Sequence, residues 1–389
     1  MSVSFAALRG GIREVITAES VKKRVLVVDD SALMRKFITE ILQSAPDLEV
    51  IGTARDGVEA LAKARSLRPD VITLDVEMPN MNGIAFLDAL MPTLPIPVVM
   101  LSSLTTAGAE ITLECLQRGA VDFAAKPSGA ISLDLADMGA EIIEKTRGAA
   151  SARLLTPQPI LSPPFLSPAA PKSASLATTA NLAFPATTAK EMDFSSLVII
   201  AASTGGPTAL QEILPRLTAD ADAAWLLIQH LPPNFTAIFA KRLNQSCRLN
   251  VREAQEGDRL ERGTLLMAPG GFHLELDAAG KVRLNQEPTL WGVRPAADVT
   301  MRSAAAHFGA KTVGVALTGM GRDGASGVRA IAAAGGVCFA QDEATSVIYG
   351  MPRAAIATGA VTHILPLPRM ADALLKFIAA RNAAQEAGL

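Results

Sequence analysis

At 389 residues, with hydrophobic residues at 49% and charged ones at 19%, the chain is long enough for two domains with sizeable cores. A formal net charge of -2 argues against a nucleic-acid partner, because such binding rests on clustered Lys and Arg. No apolar stretch approaches the ~20 residues of a membrane-spanning helix, so membrane insertion is not expected. Cys115, Cys247 and Cys338 share no metal-ligand spacing, and an odd number suits no disulfide framework. They read as reduced thiols of a cytoplasmic protein.

Residues 1–20 carry Arg9 and Arg13 among their apolar residues and make a poor signal peptide. Residues 1–21 read as an N-terminal extension, or as a start placed too early. From residue 22 a regular alternation begins. Residues 24–29 are a continuous apolar run ending in acids, as a buried parallel strand should be. Leu33, Phe37, Ile41 and Leu42 then show helical spacing over residues 31–44. The alternation continues with strand 48–53, helix 57–67, strand 71–75, helix 83–90, strand 98–102, helix 108–118, strand 121–124 and helix 133–147. Strands alternating with helices in this way describe a doubly wound parallel sheet.

Residues 148–193 lose the pattern to Pro, Ala, Ser and Thr, as in TPQPILSPPFLSPAAPKSASLATTA, and read as a semi-extended flexible linker. Periodicity returns at 194–195 and runs to 389, again strand then helix. Its one interlude is a hairpin, residues 273–276 and 281–284 around the turn 277–280. The expected architecture is α/β, with two doubly wound parallel-sheet domains (22–147, flavodoxin-like, and 194–389, Rossmann-like) joined by the Pro/Ala/Ser-rich linker.

Asp29, Asp30 and Asp75 close the first and third strands, while Ser102 and Lys126 close the fourth and fifth. A strand order 2-1-3-4-5 gathers all five around one crevice. Three carboxylates repel one another unless a hard cation with oxygen ligands, best Mg²⁺, sits among them. A lysine and a hydroxyl nearby can neutralise a phosphoryl group arriving on Asp75, which describes an aspartyl-phosphate site. Capping of the next helix explains Asp30 and Ser31. It does not explain Asp75 followed by Met78-Pro79 and Asn82-Gly83, or Lys126-Pro127. Residues 22–147 resemble the receiver domain of two-component response regulators. The resemblance implies that a partner histidine kinase phosphorylates Asp75. It further implies that Asp30, Asp75 and the backbone carbonyl of Glu77 hold Mg²⁺ with Asp29 nearby, and that Ser102, Phe123 and Lys126 act as switch positions.

In the second half, three apolar runs end in AASTGGP with Ser203, QHLPP with His230, and LTGMGRDG with Asp323. A hydroxyl, an imidazole and a carboxylate at strand ends are the parts of an activated-serine hydrolase. There is no G-x-S-x-G, and the order Ser…His…Asp differs from that of α/β-hydrolases. Each residue also has a structural explanation: a helix cap for Ser203 or Thr204, a turn for His230, a glycine-rich loop for Asp323. STGGP before a helix is equally the shape of an anion-binding loop, and spacing alone leaves these alternatives open. A nucleotide-binding module should show a P-loop lysine or G-x-G-x-x-G with a ribose-binding acid after residues 197–202, and neither is present. A transcriptional regulator should end in a basic helix-turn-helix rather than a long α/β pattern.

The segments STGGP, QHLPPNFT, APGGFHLEL, LTGMGRDGASG and QDEATSVIYGMPRAA closely resemble the catalytic domain of the protein-glutamate methylesterases of bacterial chemotaxis. The resemblance implies hydrolysis of glutamate γ-methyl esters on methyl-accepting chemotaxis receptors, with release of methanol, and deamidation of particular receptor glutamines. It assigns Ser203 as nucleophile, His230 as general base and Asp323 as orienting carboxylate, with Thr204 and the backbone of Met320 lining the site. Ester hydrolysis then calls for no cofactor, and Mg²⁺ serves only receiver phosphorylation. A cytoplasmic monomer is expected, with the chemotaxis histidine kinase as phosphodonor and the unphosphorylated receiver covering the approach to Ser203. The chain departs from the family at residues 291–298 (WGVRPAAD), where a more polar run usually precedes Arg-Pro-Ser. The cleft wall is expected to differ there, which bears on receptor preference. His273 lies in the family-like GGFHLEL segment, while His307 and His363 read as structural.

Overall fold

The computed structural model describes residues 22–103, 105–126, 135–154 and 194–386. The expectations for residues 1–21 and for the Pro-rich stretch after Leu154 lie outside the described residues.

The first domain runs β1 (Lys23–Val28), α1 (Ala32–Gln43), β2 (Leu48–Ala54), α2 (Gly57–Leu67), β3 (Val71–Asp75), α3 (Gly83–Leu90), β4 (Val98–Ser102), α4 (Thr106–Gln117), β5 (Asp122–Ala125) and α5 (Leu135–Ala149). Its strands pair in parallel in the order β2-β1-β3-β4-β5, the flavodoxin-like order expected. Helices cover both faces, so β3 and β4 are buried at every residue, which is why they read as unbroken apolar runs. Side-chain caps set the helix starts. Ser31 accepts from the Met34 N–H at 3.4 Å, Asp56 from Glu59 at 2.8 Å and Asn82 from Ala85 at 2.9 Å. Thr105 accepts from Gly108 at 3.1 Å, and this cap starts α4 ahead of the expected residue 108. At the other end α5 runs past the expected residue 147. Ala149 is buried, with Ala150, Ala152 and Leu154 packed beside it. Small apolar side chains that composition assigned to a tether thus belong to the folded body.

The second domain runs β6 (Ser196–Ala202), α6 (Gly206–Ile213), β7 (Ala223–Gln229), α7 (Phe235–Ser246), β8 (Asn250–Glu253), β9 (Thr264–Met267), β10 (His273–Leu276), β11 (Val282–Asn285), α8 (Ala297–Phe308), β12 (Thr312–Ala316), α9 (Ala325–Ala333), β13 (Val337–Gln341), α10 (Met351–Ile356), β14 (His363–Leu365) and α11 (Leu367–Glu386). Seven strands form a parallel sheet in the order β14-β13-β12-β6-β7-β9-β8. The chain leaves β6 toward β7 on one side and returns through β12 on the other. The switch point therefore lies at β6, and a crevice opens at the C-terminal ends of β12, β6 and β7. The antiparallel β10–β11 pair starts its second strand one position after the expected Lys281, because Lys281 instead bridges to Arg259.

Gly206 opens α6 where β6 comes close. A Cβ there would lie 2.1 Å from Gln229 Oε1 and 2.9 Å from Ala202 Cβ. Gly206→Ala is expected to destabilise the second domain by about 1–3 kcal/mol, the usual cost of an extra methyl in a packed interior. Both tryptophans, Trp225 and Trp291, lie after residue 194, so their fluorescence reports unfolding of this domain. Its urea midpoint should fall; an unchanged midpoint would contradict the packing at this turn.

Candidate functional site

The three strand ends of the second domain are joined beyond the strands themselves. The Ser203 N–H donates to the Thr318 carbonyl at 3.1 Å, the His230 N–H to Ala202 at 3.2 Å, and the Leu317 N–H to Ala201 at 2.9 Å. Since Ala202 pairs with Gln229, Ser203 and His230 are the next residues on adjacent strands. Gly319 packs directly on the serine: a Cβ there would lie 2.8 Å from Ser203 Cβ. Sequence reasoning missed the buried amides behind this arrangement. Gln229 Nε2 donates to the carbonyls of Ser203 (3.0 Å) and His230 (3.3 Å), and Gln341 Oε1 accepts from the Thr318 N–H at 2.8 Å. Their signal was a polar amide closing an otherwise apolar run, AAWLLIQ and VCFAQ.

His230 Nε2 lies 2.8 Å from Asp323 Oδ2. An imidazole that donates Nε2–H to a carboxylate keeps its lone pair on Nδ1. Asp323 is buried at the N-terminus of α8, where free backbone donors favour an anion. Its oxygens accept from the N–H groups of Ala297 (2.6 Å), Asp298 (2.9 Å) and Gly324 (2.9 Å). Burial opposes ionisation of Asp323, but the bonds from His230, Asp298 and Ala297 outweigh it and hold the carboxyl below its usual range. His273, buried, supports the same helix start: Nδ1 accepts from the Ala296 N–H at 3.2 Å, and Nε2 is 3.2 Å from the Pro288 carbonyl. His307 lies in α8 and His363 in β14, stacked on Phe339 at 4.5 Å.

In the first domain Asp29, Asp30 and Asp75 offer oxygens that all lie within 4.8 Å of one another, a set suited to a hard divalent cation. Lys126 Nζ reaches Asp75 at 2.6 Å and Asp29 at 2.9 Å. Burial pushes the Asp75 carboxyl up to about 6, with Asp29 adding repulsion and Lys126 pulling it down. The Glu77 N–H donates to Asp75 Oδ1 at 3.3 Å. Ser102 does not join this group. Its hydroxyl accepts from Thr112 Oγ1 at 2.6 Å and faces the Gly108 carbonyl at 3.3 Å, so it is turned toward α4.

Phe123 and Thr204, assigned to separate sites, meet at the seam between the domains. The Phe123 ring stacks on Phe235 with centroids 4.6 Å apart. The Thr204 hydroxyl donates to Asp122 of β5, and the Gly205 N–H donates to the Val121 carbonyl at 3.3 Å. Thr208 reaches the Leu116 carbonyl of α4 at 3.5 Å. Met320 meets α5: a Cβ on Gly148 would lie 2.9 Å from its sulfur. Asp122 was invisible as a site residue, because its role exists only once two domains dock.

Residues 25–136 match the response regulator receiver domain profile and residues 198–374 the CheB methylesterase profile. The chain is 46% identical over 362 residues, 92% of its length and 94% of the relative's, to a protein-glutamate methylesterase/protein-glutamine glutaminase of Pyrococcus horikoshii. It is likewise 46% identical over 360 residues, 91% of the chain and 97% of the relative, to one from Symbiobacterium thermophilum. Among solved structures, the CheB methylesterase catalytic domain of Thermotoga maritima is 39% identical. It covers 47% of this chain and 98% of its own, with a TM-score of 0.46. On this identity across nearly its full length, the chain belongs to the protein-glutamate methylesterase/protein-glutamine glutaminase family, with a receiver domain followed by a CheB methylesterase domain.

Proposed function

We propose that this protein is a phosphorylation-controlled serine hydrolase. It cleaves glutamate γ-methyl esters on chemotaxis receptors, with water consumed and methanol released, and deamidates particular receptor glutamines, which resets the receptors during sensory adaptation. The observation that carries the reading is the 2.8 Å His230–Asp323 pair on the strand end beside Ser203. His230 Nδ1 takes the Ser203 proton as Oγ attacks the ester carbonyl, while Asp323 fixes the tautomer and stabilises the imidazolium. The backbone N–H groups of Thr204 and Met320 receive the oxyanion, an interaction worth around 2.7–4 kcal/mol per donor in other hydrolases. The imidazolium returns its proton to the departing methanol. Water, deprotonated by the same imidazole, then cleaves the glutamyl–serine ester. An amide is a poorer leaving group, so deamidation leans harder on proton donation by His230.

The receiver supplies control. Asp75 accepts a phosphoryl group from the histidine kinase. Asp30, Asp75 and the Glu77 carbonyl would hold Mg²⁺ with Asp29 nearby, and the ion, when bound, neutralises the transferred phosphoryl oxygens. Lys126 is already beside Asp75. Ser102 must leave Gly108 and Thr112 to reach the phosphoryl group, and that change runs along β4, α4 and β5 to Phe123. At rest the Asp122–Thr204 and Phe123–Phe235 contacts keep substrate from Ser203. Phosphorylation biases the receiver toward a surface that no longer fits.

Ser203→Ala and His230→Ala are each expected to cut methanol release from methylated receptor membranes by roughly 10⁴-fold or more. Asp323→Asn should lose one to two orders of magnitude less, because members of a triad act non-additively. Undiminished turnover by Ser203→Ala would remove the nucleophile assignment. Radiolabelled acetyl phosphate with Mg²⁺ should label the wild type and not Asp75→Asn, whose amide is a poor nucleophile; equal labelling would move the acceptor elsewhere. Asp122→Ala should raise the resting rate roughly ten- to a hundredfold, the worth of one charge-assisted hydrogen bond. A fragment starting at Phe194 should match or exceed it without responding to phosphodonor. A fragment no faster than the resting full-length protein would rule out occlusion.

A further inference from the structure

The rim of the esterase site carries a cation that the mechanism above leaves unused. Arg322 precedes Asp323 directly and is exposed. Its guanidinium lies 3.9 Å from the centre of the Trp291 ring, and among the described residues no carboxylate pairs with it. A solvated surface arginine is ordinary; the platform beneath this one is not. Trp291 has φ +58, a left-handed backbone that bulky residues rarely adopt and that collects at ligand-handling sites. Trp291 is still 48% exposed. Its indole N–H donates to Asp298 Oδ2 at 2.9 Å, and Asp298 is the buried acid whose own N–H holds Asp323 at 2.9 Å. The aromatic platform is therefore pinned to the same framework as the catalytic carboxylate. Arg294, the other nearby cation, is held by the carbonyls of Gln286 (2.9 Å) and Glu287 (2.8 Å).

An arginine over an aromatic face keeps N–H donors free at the edge of its own planar fork, the geometry that grips a carboxylate with two parallel bonds. The loop that carries it touches the nucleophile at Gly319. Arg322 is only three residues of chain beyond Gly319, a span of at most about 10 Å, so Arg322 belongs to the rim around Ser203. We infer that Arg322, braced on Trp291, reads a carboxylate side chain of the receptor segment beside the reacting glutamyl group, so that esters flanked by an acidic residue are the preferred substrates. This deepens the esterase reading and rests on it. One consequence follows from the reaction itself: each ester hydrolysed leaves a new glutamate, so a partly demethylated segment becomes a better substrate for the next turnover.

The test uses the full-length protein with Mg²⁺ and acetyl phosphate. Two synthetic receptor-segment peptides each carry one glutamyl γ-methyl ester and differ only four residues away, Glu in one and Met in the other. Wild type should show a kcat/KM ratio of roughly five in favour of the Glu peptide at low salt, shrinking in 0.5 M NaCl because exposed charges are screened. The ratio should fall to about one in Arg322→Gln and in Trp291→Leu, and stay partly raised in Arg322→Lys, which keeps the charge but not the fork. Equal hydrolysis of both peptides by wild type, or a preference that survives Arg322→Gln, would overturn the inference. Release of methanol from neither peptide would overturn the esterase reading and this inference with it, a result distinct from equal hydrolysis.

Discussion

Asp122 is a carboxylate that only the docked pair of domains can seal from water. One oxygen takes the Thr204 hydroxyl from the esterase domain. The other accepts from the Phe123 N–H at 2.8 Å and faces Lys145 Nζ at 3.4 Å. A buried ion costs several kcal/mol unless it is paired and hydrogen-bonded, and here each partner is supplied. Burial opposes the charge of Lys145, but Asp122 and Glu141 more than offset it and hold the ammonium above its ordinary value. The same ammonium lies 4.8 Å from the Phe123 ring centre, so polar and apolar halves of the seam share one residue pair. Either half alone is a weak contact. Tethered in one chain they have a high effective concentration.

On the esterase side, Ser203, His230 and Asp323 are each held in place by backbone hydrogen bonds. Hydrogen bonds past the ends of β6, β7 and β12 set Ser203 and His230 side by side, and the buried amide of Gln229 ties their carbonyls together. Asp323 draws its donors from α8, from the turn into α9 and from His230. Substituting it would disturb two helix starts as well as the imidazole. Thr204 belongs to both halves of the protein, next to Ser203 in sequence and bonded to Asp122 of the receiver in space. In the proposed function, control therefore needs no long relay, because Thr204 links the receiver directly to the residue beside it.

Much of this was legible in the sequence because parallel strands covered on both faces read as unbroken apolar runs, and the polar residue ending each run then marks the crevice. Asp29, Asp75, Lys126, Ser203 and His230 were read in that way and do lie at strand ends, and Asp323 lies in the loop after β12. Other features depend on tertiary contacts that no local pattern encodes. Ser102 ends β4 as expected, yet its hydroxyl bonds to Thr112 and Gly108 of α4. The end of α5 and residues up to Leu154 read as linker because alanine carries little periodic signal, although these alanines pack on the receiver core. Trp291 stood out as a departure, but its partnership with Arg322 and Asp298 needed the fold.

In the proposed function, one seam couples Asp75 to Ser203. Hydrogen exchange followed by mass spectrometry on the full-length protein, with Mg²⁺ and with or without acetyl phosphate, addresses it directly, because exchange reports local opening segment by segment. Residues 119–125 and 203–210 should be protected at rest and lose protection together on phosphorylation, while residues 312–316 in the middle of the esterase sheet should not change. Full phosphorylation of Asp75 with unaltered protection at 203–210 would contradict it.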